Sequence, residues 1–312
     1  MKKIIIMTTA IIRPELHTES IGIFYSEYYQ KYKEYVDNHF EIHHVINVDS
    51  PDKLKSFFTA EETLENFNKI IPEAVMKHYI VTETPGFGRA FENIMKKINE
   101  SGLLDVSNFY FWFEDDWKLT YEFNFFQYIY EAMRFKCCAM TNTNNSQCGS
   151  FRGGPIMNGE FFLRYFNLVN LGLFNPDKDP ERQVVRFIGK YGHFNCRKLK
   201  QNDKVIKLVQ VHRKGIRLNQ DDLGEAFYSS KFHKKISFEK HYIMMENIYS
   251  LFYSNNNEDY EKCTYDNIVE KIDTESIVYL ILKPYNFIDC GREFADKYNL
   301  LKWSNSLQIT YS

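Results

Sequence analysis

The sequence predicts an α/β protein with a Rossmann-like fold, in which helices flank a central, mostly parallel sheet. Three observations lead to this prediction. A β-branched apolar run opens the chain at Lys3–Thr9, strand-like and helix-like patterns then alternate as far as Phe113, and polar or acidic residues follow the strand-like runs. Because parallel strands end at one edge of a sheet, we expect those polar residues to lie together.

The elements of the first part follow from periodicity and from turn residues. Short runs rich in Val, Ile and aromatic residues predict strands, and apolar residues at helical spacing predict helices. In chain order these are strand Lys3–Thr9, helix Tyr25–His39, strand Glu41–Val48, helical region Ala60–His78, strand Tyr79–Glu83, helix Arg89–Asn99 and strand Phe109–Phe113.

The second part is predicted in the same way. Its elements are helix Tyr121–Phe135, strand Cys137–Asn142, a glycine-containing loop at Cys148–Pro155, helix Gly159–Asn170, strand Lys204–His212, helix Asn219–Tyr228 and strand Ile277–Leu282. The pattern changes beyond about Ser237, and a chain of 312 residues is long for a single domain. We therefore predict a main domain at 1–236 and a C-terminal α/β extension at 237–312 that packs on it.

Composition excludes several classes of protein. With 44% hydrophobic and 26% charged residues the chain is globular, and a formal net charge of −2 argues against a nucleic-acid-binding protein. No window approaches the roughly 20 apolar residues needed to span a bilayer, so any membrane association would be peripheral. The six cysteines form no C-x-x-C pair, which favours reduced thiols and a cytoplasmic location.

The acidic triplet Glu114-Asp115-Asp116 is the main chemical signal, because it directly follows an aromatic strand. Three carboxylates there are costly to desolvate unless a cation neutralises them, and Mn²⁺ or Mg²⁺ bound with a diphosphate would do so. In an extended segment Glu114 and Asp116 point one way and Asp115 the other. We therefore predict metal ligation by Asp116 and Glu114, with Asp115 near a ribose.

In its order of motifs the chain resembles the glycosyltransferase A-fold (GT-A) superfamily of nucleotide-diphospho-sugar transferases, over about the first 230 residues. The motifs are Thr8-Thr9 with Arg13, Asp49, Gly86-Phe87-Gly88-Arg89-Ala90 with Asn93, Phe113-Glu114-Asp115-Asp116-Trp117, Arg152-Gly153-Gly154-Pro155, and Asp221-Asp222. They match no single named family within the superfamily.

The resemblance implies a metal-dependent hexosyltransferase that takes a UDP- or GDP-sugar donor and a glycan or other hydroxyl acceptor. It implies that Asp221 or Asp222 is the catalytic base. We expect transfer with inversion of the anomeric centre, but a retaining enzyme would share the same acidic triplet. The acceptor would lie on Arg152, Gly153 and Gly154. The nucleotide sugar would contact Thr8, Thr9, Arg13, Asp49, Gly88, Arg89, Asn93 and Asp115.

Other interpretations remain open from the sequence. Thr8-Thr9 also suits a strand end, Asp49 a turn cap, and Asp221-Asp222 the first turn of a helix. A non-catalytic carbohydrate-binding protein or a metal-dependent phosphoesterase are the alternative functions. A nucleotidyltransferase is disfavoured because the segment after the first strand lacks a basic glycine-rich loop. A kinase and a dehydrogenase are disfavoured because phosphate-loop and dinucleotide fingerprints are absent.

Overall fold

The computed structural model describes residues 1–82, 84–119, 128–129, 132–141, 156–170, 174–178, 180, 192–201, 204–213, 277–282, 287–289, 294 and 297. The strands are β1 Lys2–Ile11, β2 Phe40–Asp49, β3 Met76–Thr82, β4 Phe109–Trp112, β5 Trp117–Leu119, β6 Cys137–Thr141, β7 Ile156–Asn158, β8 Gly192–Gln201, β9 Lys204–Arg213, β10 Ile277–Leu282 and β11 Phe287–Asp289. The helices are α1 Pro14–His17, α2 Gln30–His39, α3 Ala60–Ile70, α4 Phe87–Glu100 and α5 Gly159–Asn170, with π-helical turns at Thr18–Gly22 and Phe24–Tyr29.

Nine of the described strands form one sheet in the order β3-β2-β1-β4-β7-β6-β10-β9-β8. Seven of them run in one direction, and only β7 and β9 run against it. The described part of the chain thus has the predicted fold class, a mostly parallel sheet flanked by helices. A separate antiparallel pair joins β5 to β11.

The two faces of the sheet are covered by helices from different crossovers. The segment from α1 to α2 and helix α3 pack on one face, through residues such as Leu16, Tyr25 and Phe67. Helices α4 and α5 pack on the other, through Phe91 and Phe162 among others. The change of face follows from right-handed crossovers, because the chain moves outward from β1 to β3 and then returns past β1 to β4.

The first crossover differs from the prediction in where its helical structure begins. The sequence pattern predicts a helix only from Tyr25, yet helical turns start at Pro14. Proline is favoured at the first helical position, and burial of Leu16 and Ile21 against the sheet anchors the extra turns. These turns bring His17 and Ser20 beneath the end of β4.

The second crossover, from β2 to β3, also differs, because the predicted helical region Ala60–His78 is too long. Helix α3 ends at Ile70, two residues before Pro72, and β3 already begins at Met76. Its start is well defined, since Thr59 and Glu62 form a capping box. The expectation of a helix at Ala60 is therefore confirmed, while its end is corrected.

The second part of the chain largely follows the prediction where it is described. Helix α5 and strand β10 have the predicted bounds, and β6 and β9 differ from theirs by one residue. Strand β10 lies inside the main sheet, between β6 and β9. The division at residue 236 stays a prediction. The helix predicted at Asn219–Tyr228 and the loop at Cys148–Pro155 lie outside the described residues.

Candidate functional site

The carboxyl ends of β1, β2 and β4 form the candidate site. Strand β1 lies between β2 and β4, and the chain switches faces there, so the ends of β1 and β4 border a topological switch point. Ligands of open α/β sheets bind in the crevice at such a point. The acidic triplet follows β4, and Asp49 ends β2 directly beside Ile11, the last residue of β1.

Asp115, the middle residue of the triplet, is held by donors from the first crossover. Its carboxylate accepts hydrogen bonds from Arg13 Nε at 2.9 Å, from a terminal guanidinium nitrogen of Arg13, from His17 Nε2 at 2.9 Å and from the Ile11 amide at 3.1 Å. Its carbonyl accepts from Ser20 Oγ at 2.6 Å. With 1% exposure, Asp115 lies beneath the crevice and faces the protein.

This cluster carries one buried ion pair. Burial opposes ionisation of Asp115, but the Arg13 guanidinium and its hydrogen bonds lower the pKa of this carboxyl below its ordinary range. The carboxylates of Asp115 and Asp116 in turn outweigh burial and raise the pKa of Arg13. Burial lowers the pKa of His17, so His17 is neutral at pH 7 and donates its Nε2 proton to Asp115.

The residues on either side of Asp115 are more open. The Asp116 side chain is 19% exposed, and its Oδ2 lies 3.1 Å from the Arg13 guanidinium. Glu114 is also partly exposed. Arg13 therefore contacts both aspartates, one from below and one at the edge of the crevice.

Asp49 forms a second buried carboxylate at this edge of the sheet. Its two oxygens accept hydrogen bonds from Asn47 Nδ2 at 2.7 Å and from the Gly86 amide at 2.8 Å. Burial, and to a lesser degree the charge of Asp115, raises the pKa of Asp49 to about 6, although these hydrogen bonds act in the opposite direction. The neighbouring Ser50 hydroxyl is buried and has no hydrogen-bond partner among the described residues.

Asn47 connects Asp49 to the residues that follow β3. Its Oδ1 accepts hydrogen bonds from Thr82 Oγ1 at 2.9 Å and from Asn93 Nδ2 at 3.3 Å. Asn93, a predicted nucleotide contact, therefore lies in the same polar cluster as Asp49. Sequence reasoning missed Asn47, although it stands two positions before Asp49 and so points to the same face of β2.

Asp49 should make the stability of the fold depend on pH. Its folded pKa of about 6 exceeds the ordinary value of 3.8, so the folded state binds more protons than the unfolded state between these values. The free energy of unfolding should therefore fall by about 2 to 3 kcal/mol from this residue as pH rises from 4 to 6.5. In Asp49→Asn this component disappears, and urea titrations of both proteins at several pH values would measure it. A constant difference between the two would contradict the prediction.

Thr8 and Thr9, two further predicted nucleotide contacts, lie near the carboxyl end of β1. Thr8 has no exposed surface, and its hydroxyl donates to the Phe113 carbonyl at 2.7 Å. Thr9 is 8% exposed. Thr8 thus lies beneath the crevice, whereas Thr9 is closer to its surface.

Gly88 and Arg89 contact the segment at 174–178. A Cβ atom on Gly88 would lie 2.4 Å from the carbonyl oxygens of Pro176 and Lys178, so the start of α4 packs tightly against that backbone. Arg89 forms an ion pair with Asp177 at 2.8 Å, with both side chains largely exposed. These two positions therefore contact protein, and their roles toward a nucleotide stay predictions.

The other predicted site residues lie outside the described part of the chain. They are Arg152, Gly153 and Gly154 of the acceptor platform and the two candidate bases, Asp221 and Asp222.

The carboxylates at this edge of the sheet suit a hard cation that is also bound by the phosphates of a ligand. Among the described residues, no three His, Cys, Asp or Glu side chains are grouped so as to hold a metal ion by themselves. Mg²⁺ and Mn²⁺ sites that use substrate phosphates need only one or two protein carboxylates. Asp116 and Glu114, partly exposed at the switch point, meet that requirement. No described helix is both long and apolar enough to cross a membrane.

Comparison with known proteins identifies no family. No family model matches the chain, and no curated protein matches it. Among solved structures it is similar to the crystal structure of 4-diphosphocytidyl-2C-methyl-D-erythritol synthase, at 14% identity and a TM-score of 0.34, over 60% of this chain and 84% of that one. A similarity of this extent carries no argument about activity.

Proposed function

We propose that this chain is a metal-dependent glycosyltransferase, which moves a sugar from a nucleotide-diphosphate sugar to an acceptor hydroxyl. One observation carries the proposal: partly exposed Asp116 and Glu114 lie at the β1–β4 switch point of a doubly wound sheet. That is where such folds bind nucleotides, and a pair of accessible carboxylates there suits a diphosphate-bound cation.

Asp116 and Glu114 would hold Mn²⁺ or Mg²⁺, which when bound to the diphosphate stabilises the charge on the leaving nucleotide. Arg13 lies within contact of Asp116 and orients its carboxylate. The buried Asp115–Arg13 ion pair lies beneath these two residues and holds the Glu114–Asp116 segment in place. We place no donor contact on Asp115 itself, because its oxygens already accept bonds from Arg13, His17 and the Ile11 amide.

Asp49 and Ser50 support a nucleoside subsite at the end of β2. Asp49 is an acceptor at neutral pH, and the Ser50 hydroxyl is buried without a described partner, which costs free energy unless a ligand supplies one. A ribose hydroxyl or a base edge offers both a donor and an acceptor. Thr9 and Asn93 border the same region.

The acceptor side of the proposal concerns residues outside the described structure. Asp221 or Asp222 would take the proton of the acceptor hydroxyl as it attacks the anomeric carbon, and the Arg152-Gly153-Gly154 segment would support the acceptor. Attack from the face opposite the leaving diphosphate inverts the anomeric configuration.

Thermal unfolding with UDP, GDP, CMP and their sugars, each with and without Mn²⁺, tests the donor site. One nucleotide should raise the melting temperature by several degrees only when Mn²⁺ is present, since a ligand at about 100 times its Kd stabilises by ~2.7 kcal/mol. Asp116→Asn keeps the shape of the side chain but removes its charge, so the affinity should fall about 100-fold.

Asp37→Asn is the matched control, because Asp37 lies on α2 and contacts Lys33 and Tyr29 at the surface. It should leave the ligand-induced shift unchanged. The proposal fails if well-folded protein shows no shift with any nucleotide. Binding without transfer or hydrolysis would instead indicate a carbohydrate-binding protein, and release of free sugar or phosphate without transfer a hydrolase.

A further inference from the structure

A buried chain of hydrogen bonds runs from the first crossover to the residue before the acidic triplet. Tyr25 Oη lies 3.0 Å from His44 Nδ1, and His44 Nε2 lies 2.8 Å from Thr8 Oγ1. Thr8 Oγ1 then donates to the Phe113 carbonyl at 2.7 Å. All of these side chains are buried, so water cannot substitute for a missing member.

The direction of every bond in this chain follows from its last member. The Phe113 carbonyl can only accept, so the single proton of Thr8 points to it, and Thr8 must accept from His44 Nε2. Burial, with a smaller effect of Lys77, lowers the pKa of His44 to about 3, so the ring is neutral and carries its proton on Nε2. His44 Nδ1 is therefore an acceptor, and the Tyr25 hydroxyl donates to it.

This series of hydrogen bonds ends at Phe113, whose backbone leads directly into the proposed metal ligands. Phe113 is bound to β1 twice, because its amide also donates to the Met7 carbonyl at 2.8 Å. Glu114 follows immediately. Strand β4 ends at Trp112, so its pairing with β1 does not extend to the triplet, and the bonds to Phe113 and to Asp115 are among the contacts that position it.

We propose that Tyr25, His44 and Thr8 are positioning residues, whose directional hydrogen bonds fix the Phe113 carbonyl and thereby place Glu114 and Asp116 for cation binding. This inference rests on the proposed function for its ligand, but the positioning itself is a property of the free protein. Outer hydrogen-bond partners of metal ligands affect metal affinity by about 10- to 100-fold.

Tyr25→Phe removes the donor to His44 Nδ1 and leaves this buried nitrogen without its partner. The His44 ring then loses the contact that holds it against Thr8, so the bonds from His44 Nε2 to Thr8 and from Thr8 to the Phe113 carbonyl are less well fixed. The change thus acts on the triplet without touching it. Tyr29→Phe is the matched control, since Tyr29 lies one turn further along the same segment and its hydroxyl donates to Asp37 at 3.0 Å.

Nuclear magnetic resonance of the ligand-free, full-length protein tests the positioning. In wild type, ¹⁵N shifts should show His44 as a neutral ring protonated at Nε2 and untitrated from pH 5 to 8. In Tyr25→Phe the ring should stay protonated at Nε2, its Nδ1 signal should shift because the hydrogen bond from Tyr25 is lost, and the amide signals of residues 114–116 should shift. In Tyr29→Phe neither should change. Thr8→Val is a second test, which also serves if Tyr25→Phe does not fold. It removes the donor to the Phe113 carbonyl and should shift the same amide signals.

A Mn²⁺ titration in the presence of the nucleotide that binds best gives the functional result. Tyr25→Phe should weaken Mn²⁺ binding about tenfold relative to Tyr29→Phe, at temperatures where both are folded. Equal affinities, or unchanged amide signals of residues 114–116 in both Tyr25→Phe and Thr8→Val, would overturn the inference. Absence of Mn²⁺ binding in wild type would overturn the proposed function, while the ligand-free measurements would still decide the positioning.

Discussion

Arg13→Met should lower the free energy of unfolding by about 3 to 5 kcal/mol, because it leaves the buried Asp115 carboxylate without its counter-ion. Asp115 is 1% exposed, and despite burial the pKa of its carboxyl lies below the ordinary range, chiefly because the Arg13 guanidinium contacts it. Methionine keeps much of the side-chain volume of arginine, so the loss reports on charge and hydrogen bonds. Urea denaturation at pH 7 measures the effect.

Two controls separate this ion pair from ordinary surface pairs. Arg89→Met breaks the exposed pair with Asp177 and should cost less than about 1 kcal/mol. The double variant Arg13→Met/Asp115→Asn removes both buried charges, keeps an oxygen that can accept from His17 and the Ile11 amide, and should recover most of the loss. A cost below 1 kcal/mol for Arg13→Met would mean that Asp115 is not held as described.

Gly88→Ala should destabilise the protein by about 3 kcal/mol or more. The new Cβ would lie 2.4 Å from two carbonyl oxygens, those of Pro176 and Lys178, and backbone atoms cannot rotate away as a side chain can. The loss would run against helix propensity, which favours alanine over glycine by roughly 0.5–1 kcal/mol within a helix.

Gly86→Ala is the matched substitution, two positions earlier. The nearest atoms to its Cβ, in the Arg89 side chain, lie 3.7 Å away, and the φ of 167° is extended and open to any residue. It should change stability by less than about 1 kcal/mol. Thermal or urea unfolding of both variants tests the pair, and equal effects would contradict the tight packing of α4 against the 174–178 segment.

The parallel half of the sheet could be predicted because its strands are short, apolar and separated by clear turn residues. Strand β8 could not, since Gly192–Gln201 mixes basic and apolar residues without strict alternation, and its pairing with β9 supplies the missing constraint. The three-residue strand β7 is too short for any periodicity to be detected. The end of α3 was placed too late because the apolar spacing continues past Ile70 into residues that pack without being helical.

The position of the acidic triplet at the sheet edge was also predictable, but the partners of Asp115 were not. Arg13 and His17 stand about 100 positions earlier, and only the parallel pairing of β1 with β4 brings them together. Asn47, His44 and Tyr25 likewise acquire their roles from strand register and crossover packing. A sequence pattern identifies chemical groups at strand ends, while their hydrogen-bond partners depend on tertiary contacts.

The place of β10 in the sheet affects the order in which the protein can fold during synthesis. Strands β1 to β4 need only the chain as far as Trp112, so this half can assemble early. The edge of β6 that pairs with β10 stays unpaired until Ile277–Leu282 leaves the ribosome. At 5–20 residues per second this is roughly 10 to 30 seconds after Trp112 is synthesised. During that interval an apolar strand edge is open to other chains, so chaperone demand should be concentrated late in translation.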